Sequence, residues 1–466
     1  MPERTVLTIN TGSSSLKAAV FDTADLTGRH LTAQVEHIGH ETALRVTDGA
    51  GTELANDPLL ASDHGEALAA LVEWLRDRGE IEPLAAVGHR IVHGGVDFSA
   101  PQRIDDAMVE TLERLTPFAP NHMPQALAAI AATRRLFPDL PQVACFDTAF
   151  HRTMPPVAQR YPLPPEFEQD GVIRYGFHGL SYASIVDRLG DDIAPRTVIA
   201  HLGNGASMAA LRDGTSVDTT MGFTPLGGLM MGTRPGDLDP GVLLYLLQQT
   251  GKSIGQVADL VTNQAGLRGL SQRSADMKTL LDHEADDPQT AAALELYVYL
   301  ARKQLGGLLA VLGGIDLLIF TGGIGEHAPE IRERIGRGFE WAGIRIDPGK
   351  NAPDARLPSS SPPERMALSL PEQPSPPVIL NEVKDLSRFR PAHQPPGEAI
   401  CSSAALARII PERLGWSVTR VEADLRGRYS GHRRKRFFPS VRMTNLAASA
   451  SLENRPDAPN QPACIS

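Results

Sequence analysis

The sequence has few of the features that mark secreted, metal-binding or membrane proteins. Its three cysteines, Cys145, Cys401 and Cys464, are an odd number without metal-ligand spacing, which is typical of a reducing cytoplasm. The longest apolar run, residues 308–320, is too short to cross a bilayer and contains Asp316. The first residues, MPERTVLTIN, lack the apolar core of a signal peptide. We therefore expect a cytoplasmic protein without a membrane span.

Aromatic residues are scarce and positive charge is in the minority. Phe, Trp and Tyr make up 5% of the chain within an apolar content of 42%, so the hydrophobic cores must be mainly aliphatic. A net charge of −10 argues against a nucleic-acid partner and against binding to anionic membranes. The basic run at residues 433–436 is too isolated to change that interpretation. The length of 466 residues predicts two or three domains.

Two strand–turn–strand patterns stand far apart in the chain. In residues 5–21 the strands flank a polar turn of small residues, and in residues 197–211 they flank a Gly-Asn-Gly turn. The glycines Gly203 and Gly205 allow backbone N–H groups to approach a ligand closely. One such turn can be ordinary, but the repeated plan predicts an internally duplicated α/β protein with one phosphate-facing hairpin per half.

A third segment follows the same logic. The apolar run at residues 317–320 predicts a strand, and the glycine-rich sequence TGGIGEH leads from it into a helix. The N-terminal N–H groups of such a helix favour anionic or polar ligand atoms. Three glycine-rich turns in matching contexts favour a phosphate-bearing ligand.

Four polar side chains are predicted to lie at the ends of strands or beside glycines. They are Arg90, Asp147, His178 and Arg234, the last within a long glycine-rich loop at residues 217–240. A lone arginine more often forms a surface ion pair, and a lone histidine is usually structural. Together, however, they are the groups that phosphoryl transfer requires, since its catalysis is mainly positioning and electrostatics. The sequence contains no P-loop motif and no protein-kinase HRD or DFG motif.

Periodicity predicts the remaining organisation. Helices are expected at residues 66–78, 108–115, 124–136, 242–249, 254–261 and 288–312, and strands at 84–92 and 142–146. An irregular proline-rich segment at 151–169 predicts a boundary between an N-terminal domain, 1–150, and a C-terminal domain, 151–347. The proline-rich tail, 348–466, is expected to be largely disordered apart from a helix at 398–410.

Seven motifs stand in the order found in acetate kinases, and the chain resembles that family over about residues 5–347. They are NTGSSSLK (10–17), GHRIVHGG (88–95), FDTAFH (146–151), YGFHG (175–179), HLGNGAS (201–207), MGTRPGDLDP (231–240) and FTGGIGEHAPEIR (320–332). The resemblance implies two duplicated RNase H-like, actin-like ATPase domains around a nucleotide cleft. It also implies reversible transfer of the ATP γ-phosphoryl group to acetate, with Mg²⁺ or Mn²⁺, in a homodimer.

The resemblance also implies roles for individual residues. Catalysis would involve Arg90, Asp147, His178 and Arg234, and Arg90 would also bind the acid with Val92, Phe177 and Pro225. Asn10 would lie at the metal, and Ser13 and Ser15 would line the phosphate side. The nucleotide would be bound by Lys17, His201, Leu202, Gly203, Asn204, Gly205, Asp276, Met277, Lys278, Gly323, Ile324, Gly325 and His327.

Three departures from the family pattern leave alternatives open. Asn121 replaces the usual leucine of the acid pocket, which keeps propionate or butyrate kinase as an alternative. Lys278 replaces the usual arginine beside the adenine. The tail lacks the PTDEE-type motif whose glutamate binds the metal. That loss is the argument for a degraded homologue that binds nucleotide but turns over poorly.

Overall fold

The computed structural model describes residues 4–23, 29–81, 83–349 and 351, and the backbone of residues 378–381. An eight-stranded sheet dominates the first part of the chain. Its strands are β1 (Thr5–Thr11), β2 (Leu16–Asp22), β3 (Arg29–Glu36), β4 (Ala43–Asp48), β5 (Glu53–Pro58), β6 (Leu84–Ile91), β7 (Gln102–Arg103) and β8 (Gln142–Phe146). They lie in the order β5-β4-β3-β2-β1-β6-β8-β7.

Helices cover one face of this sheet. They are α1 (His64–Asp77), α2 (Asp106–Arg114) and α3 (Met123–Leu136). Asp63 and Asp105 begin the first two helices by accepting hydrogen bonds from the backbone N–H groups of the first turn. The apolar faces of α1 and α3 pack with the inward residues of β1, among them Leu7 and Ile9, in one hydrophobic cluster. In the sequence, the apolar residues of α1 and α3 recur at helical spacing, and Leu7 and Ile9 of β1 are two residues apart, as on one face of a strand. Burial of these side chains therefore favours the helices and the strand at these positions.

A second sheet repeats the central part of the first. Its strands are β9 (Arg196–Leu202), β10 (Ala206–Arg212), β11 (Thr215–Thr219), β12 (Leu317–Thr321) and β13 (Val378–Asn381), in the order β11-β10-β9-β12-β13. In the first sheet, β3-β2-β1-β6-β8 has the same plan, an antiparallel meander followed by parallel neighbours. The second sheet pairs in the same way. The predicted internal duplication of an α/β fold is confirmed.

The remaining helices follow the first sheet in the chain. They are α4 (Pro156–Gln159), α5 (Pro165–Gln169), α6 (Gly179–Leu189), α7 (Pro240–Gln249), α8 (Ile254–Asp259), α9 (Gly266–Ser271), α10 (Met277–His283), α11 (Pro288–Leu312), α12 (Gly322–His327) and α13 (Pro329–Gly336). The helix α6 packs on one face of the sheet and α11 on the other. Short 3₁₀ turns occur at Thr116–Phe118, Ala149–Thr153, Gly190–Asp192 and Glu340–Ala342, and a π-helix at Leu260–Gln264.

Much of the predicted tail lies outside the described residues. This applies to the helix expected at 398–410 and to the disorder expected over most of 348–466. The described strand β13 is the exception, because it pairs in parallel with β12. Within the part of the chain that the structure describes, no helix combines the length and apolar character needed to cross a bilayer.

Candidate active site

Arg90 lies at the carboxyl end of β6 and joins three strand ends of the first sheet. Its Nε and Nη2 donate to Oδ2 of Asp147, at 3.0 and 2.5 Å, and its Nη1 donates to Oδ1 of Asn10 at 2.9 Å. The Asp147 side chain is 1% exposed and that of Arg90 is 21% exposed. Burial disfavours the charge of Arg90, but Asp147 outweighs that effect and raises the pKa of the guanidinium. The arginine is therefore a fixed cation at the carboxyl ends of parallel strands, where sites form in α/β proteins.

Arg234 is the second cation of the site. Its Nη1 donates to the Pro225 carbonyl oxygen at 3.0 Å. Among the described residues, no carboxylate forms an ion pair with it. Burial, and then the charge of Arg90, lower the pKa of Arg234. A desolvated guanidinium without a carboxylate partner is suited to bind an anion.

His178 is held beside Arg234 in an unusual conformation. It precedes α6 in the left-handed region, with φ of 60°, which is uncommon for a residue other than glycine. Its Nδ1 lies 2.8 Å from Oγ of Ser207. A methyl group on Gly205 would lie 3.4 Å from Nε2 of His178 and 3.8 Å from Nη1 of Arg234. The imidazole and the guanidinium therefore border the same glycine.

Two further histidines lie among these cations. The ring of His201 stacks on that of His178, with centroids 4.3 Å apart. Burial, and then the charge of Arg90, lower the pKa of His201 to about 4. Burial, and then Arg234 and Arg90, lower the pKa of His122 to about 3. Burial and the neighbouring His201, Arg90 and Arg234 also lower the pKa of His178 well below its ordinary value. Near pH 7 the site therefore presents two guanidinium cations and three neutral imidazoles.

The predicted acid pocket is partly assembled from the hydrophobic core. Val92 and Phe177 belong to one buried cluster and are 6% and 1% exposed. Pro225 is half-buried, and its carbonyl oxygen is tied to Arg234. Val92 lies two residues after Arg90, and Phe177 directly precedes His178.

Asn121 is half-buried and directly precedes His122. Its Nδ2 lies 3.5 Å from Oδ1 of Asn263, at the limit of a hydrogen bond. Asn263 belongs to the π-helix, and Thr262 in the same turn accepts a hydrogen bond from Thr233, the neighbour of Arg234. Asn121 thus connects the loop before α3 with the loop that carries Arg234.

Two glycine segments meet at the carboxyl end of the second sheet. The Gly203–Gly205 turn follows β9, and α12 begins at Gly322 directly after β12. Gly322 has φ of +78°, and a Cβ there would lie 2.6 Å from the Leu202 carbonyl oxygen. Only glycine allows the helix to begin so close to the turn. The N-terminal end of α12 and the turn are thereby brought together, and such backbone N–H groups favour anionic ligand atoms.

The segment before α10 also reaches this turn. A Cβ on Gly232 would lie 2.2 Å from Oδ1 of Asn204 and 3.3 Å from Cβ of Ala275. Asp276 follows Ala275 and caps α10 by accepting from the N–H and hydroxyl of Thr279, at 2.8 and 2.7 Å. The segments predicted to bind nucleotide therefore converge on Asn204.

The other residues predicted to bind nucleotide differ in whether their side chains or only their backbone atoms can contact a ligand. Lys17 lies opposite Asn10 in the β1–β2 hairpin, whose turn contains Ser13 and Ser15. Lys278 and His327 are exposed and can present side chains to a ligand. The side chains of Leu202, Met277 and Ile324 are buried in the hydrophobic core, which leaves only their backbone atoms for contact, and Gly323 and Gly325 carry none.

Within the described ranges, no group of three or more His, Cys, Asp or Glu residues could hold a metal ion. Asn10 and Asp147 contribute two oxygen-bearing side chains at Arg90. Mg²⁺ is usually bound by one or two carboxylates together with phosphates and waters. The residues present therefore fit a metal ion that enters with a nucleotide.

Three residues near the site are not among those predicted from the sequence. His122 carries no glycine or strand-end signal, and the tertiary fold brings it within the influence of the charges of Arg234 and Arg90. Ser207 and Tyr182 lie behind His178 and are fully buried. Ser207 falls within the motif HLGNGAS, which is the signal that could have identified it.

Comparisons with known proteins agree with these observations. The sequence profile of the acetokinase family matches residues 5–362. The acetate kinase of Methylocella silvestris is 46% identical over 373 residues, 77% of this chain and 92% of that protein. The acetate kinase of Rhodopseudomonas palustris is 45% identical over 356 residues, 74% of this chain and 89% of that protein.

Solved structures of an acetate kinase and of a propionate kinase align with most of this chain. The crystal structure of Porphyromonas gingivalis acetate kinase aligns with a TM-score of 0.70 at 32% identity, covering 87% of this chain and all of that one. A propionate kinase from Francisella tularensis aligns with a TM-score of 0.73 at 29% identity, covering 86% of this chain and 98% of that one.

Proposed function

The chain belongs to the acetokinase family, and we propose that it is an acetate kinase, which transfers the γ-phosphoryl group of ATP reversibly to acetate. Its two sheets form the duplicated fold of actin-like ATPases. The observation that carries the proposal is the convergence of Arg90, Arg234 and His178. The limits 1–150 and 151–347 remain our proposal for the two domains, with a tail from 348.

The charges of the site suit a direct in-line transfer. A carboxylate oxygen of acetate attacks the γ-phosphorus, and the bond to the departing ADP oxygen breaks. Charge is spread over the phosphoryl oxygens in the transition state, where fixed cations and N–H donors stabilise it. Arg90 is fixed by Asp147, and Arg234 is desolvated without a carboxylate partner. We assign the acid carboxylate and the phosphoryl group to these two guanidinium groups, with His178 as a neutral donor.

Mg²⁺ is the metal ion that we propose, with Mn²⁺ as a substitute. Asp147 and Asn10 would hold it, and when bound with the nucleotide it neutralises phosphate charge. The family's C-terminal glutamate ligand has no counterpart here, since the sequence lacks the PTDEE-type motif that carries it. Asn204 and the N–H groups at the start of α12 would contact the nucleotide phosphates.

A hydroxamate assay tests the proposed function. We expect acyl phosphate formation that requires ATP, acetate and Mg²⁺, and that falls from acetate to propionate to butyrate as the chain outgrows the pocket of Val92, Phe177 and Pro225. His178→Ala is the control against a contaminating kinase, since it should lose most of the activity. A higher kcat/KM for propionate or butyrate would make this a kinase for longer acids. Nucleotide binding without turnover would support the degraded homologue.

We also propose that the protein is a cytoplasmic homodimer. The helix α7 has the sequence PGVLLYLLQQ without a charged residue, and none of its ten residues is buried. Leu244 and Tyr245 are 55% and 60% exposed, and Ile254, at the start of α8, is 78% exposed. Contiguous exposed apolar surface of this kind marks protein interfaces. A second copy of the chain would bury it.

Leu244→Glu is expected to convert the dimer into a monomer, because a carboxylate in an apolar interface is desolvated without a partner. Light scattering after gel filtration should show the mass falling from twice the chain mass to the chain mass. Val157→Glu is the matched control, since Val157 is 82% exposed and lies on a different helix, α4. A wild-type monomer, or a dimer unaffected by Leu244→Glu, would contradict the proposed interface.

A further inference from the structure

A buried chain of hydroxyl groups stands behind the imidazole of His178. Oγ of Ser207 lies 2.8 Å from Nδ1 of His178 and 2.5 Å from the Tyr182 hydroxyl. Tyr182 and Ser207 are fully buried, so bulk water does not compete for these bonds. Among the described residues, neither hydroxyl has another hydrogen-bond partner.

The positions of the protons follow from counting donors and acceptors. Burial raises the pKa of the Tyr182 hydroxyl, so this group keeps its proton and needs an acceptor. The acceptor within reach is Oγ of Ser207. The Ser207 proton is then directed to Nδ1 of His178. In the opposite arrangement, Nδ1–H would donate to Ser207 and Ser207 to Tyr182, which would leave the buried tyrosine proton without an acceptor. Such orphaned donors are rare in folded proteins.

We propose that Tyr182 and Ser207 are positioning residues that fix His178 in the tautomer with its proton on Nε2. Because Nδ1 accepts from Ser207, the neutral ring presents its single N–H towards Gly205 and Arg234. This inference rests on the proposed phosphoryl transfer, where that N–H would donate to an oxygen of the group in transfer. His178 is thus a preorganised donor and takes up no proton during the reaction.

The tautomer can be observed without turnover. Two-bond ¹H–¹⁵N spectra of histidine-labelled protein at pH 7.5 should show His178 as the Nε2–H tautomer, with its peaks identified by their loss in His178→Asn. In Ser207→Ala, Nδ1 loses the hydroxyl that donates to it, so the spectrum should shift towards the Nδ1–H form. A wild-type His178 in the Nδ1–H or the doubly protonated form would overturn the proposal, as would a Ser207→Ala spectrum without change.

Kinetics test whether the two hydroxyls act as one unit. We expect Tyr182→Phe and Ser207→Ala each to lower kcat about tenfold, with little change in the KM for ATP, as for other residues that orient a reacting group. The double variant should also lose about tenfold, because Tyr182 acts through Ser207. A loss of kcat in the double variant near the product of the two single losses would overturn the proposal that Tyr182 acts through Ser207. An effect confined to KM would overturn it as well.

Tyr297→Phe is the matched control for removing a buried tyrosine hydroxyl. Tyr297 lies in α11, 2% exposed, and its hydroxyl has no hydrogen-bond partner among the described residues. We expect unchanged kcat and unchanged His178 peaks in this variant. If the spectra agree but wild-type protein forms no acetyl phosphate, the proposed function fails and the tautomer assignment stands. If turnover is normal but His178 is the Nδ1–H form, the proposed positioning role of Tyr182 and Ser207 fails and the proposed function stands.

Discussion

Arg234→Ala is expected to lower kcat/KM for acetyl phosphate formation by about 10³-fold, the scale of losing a transition-state arginine. The reason is that Arg234 is desolvated and pairs with no carboxylate in the described part of the chain, so its charge is available to the reacting groups. The fold should tolerate the change. The variant loses the hydrogen bond to the Pro225 carbonyl and a weak one to Sδ of Met231, so the free energy of unfolding should fall by about 1 kcal/mol.

The matched control is Arg196→Ala. Arg196 begins β9 at the end opposite the Gly203–Gly205 turn, and it forms an ion pair with Asp316 in which both side chains are about one-third exposed. That variant should keep its activity. Steady-state kinetics and urea unfolding of both variants decide the matter. An Arg234→Ala enzyme with normal kcat/KM would remove this arginine from the mechanism, whereas a large loss of stability would assign it a structural role.

Arg90→Ala is expected to lose both activity and stability, which distinguishes it from the change at Arg234. Without Arg90, the carboxylate of Asp147 remains 1% exposed and loses its cation. Breaking one side of a buried pair costs about 3 kcal/mol of unfolding free energy. The double variant Arg90→Ala with Asp147→Asn removes the orphaned charge, so it should recover most of the stability and none of the activity.

Denaturant unfolding of the two variants separates the roles of the pair. An exposed pair, Arg160 with Glu168, supplies the control, since its side chains are 60% and 43% exposed. Arg160→Ala should change stability by less than about 1 kcal/mol. Equal stability of Arg90→Ala and the double variant would show that the unpaired carboxylate of Asp147 does not lower the free energy of unfolding. Recovery of turnover in the double variant would remove Arg90 from the chemistry.

Sequence patterns predicted the parts of the fold that burial dictates strongly. The strand Gln142–Phe146 and the helix Pro288–Leu312 have the predicted bounds, and both carry apolar runs or clear periodicity. Strands β3 to β5 were not predicted. In β3 the buried Leu31, Ala33 and Val35 alternate with half-buried polar residues, and this signal could have identified it. In β5 a single residue, Ala55, is buried, so pairing with β4 and not its own sequence makes it a strand.

The residues of the candidate site also fall into two groups, those that sequence motifs identified and those that only the tertiary fold distinguishes. Motifs identified Arg90 and Asp147 individually, but they are 57 residues apart in sequence, and their pairing depends on the adjacency of β6 and β8. His122 and Tyr182 could not be assigned, because what distinguishes them is the burial and the charges that their tertiary neighbours provide. Local sequence thus specifies strand ends and turns, whereas electrostatic environment is a property of the assembled cleft.

The strand β13 shows that the fold extends further than the sequence similarity. The family match ends at residue 362, yet Val378–Asn381 pairs with β12 from Leu317 to Phe320. A parallel neighbour joins through main-chain N–H and C=O groups, which every residue except proline offers in full. The short sequence VILN meets that requirement, with apolar residues suited to a strand. Among the described strands, the position beside β12 is therefore open to any sequence of suitable backbone and hydropathy, so this neighbour of β12 need not match the family in sequence.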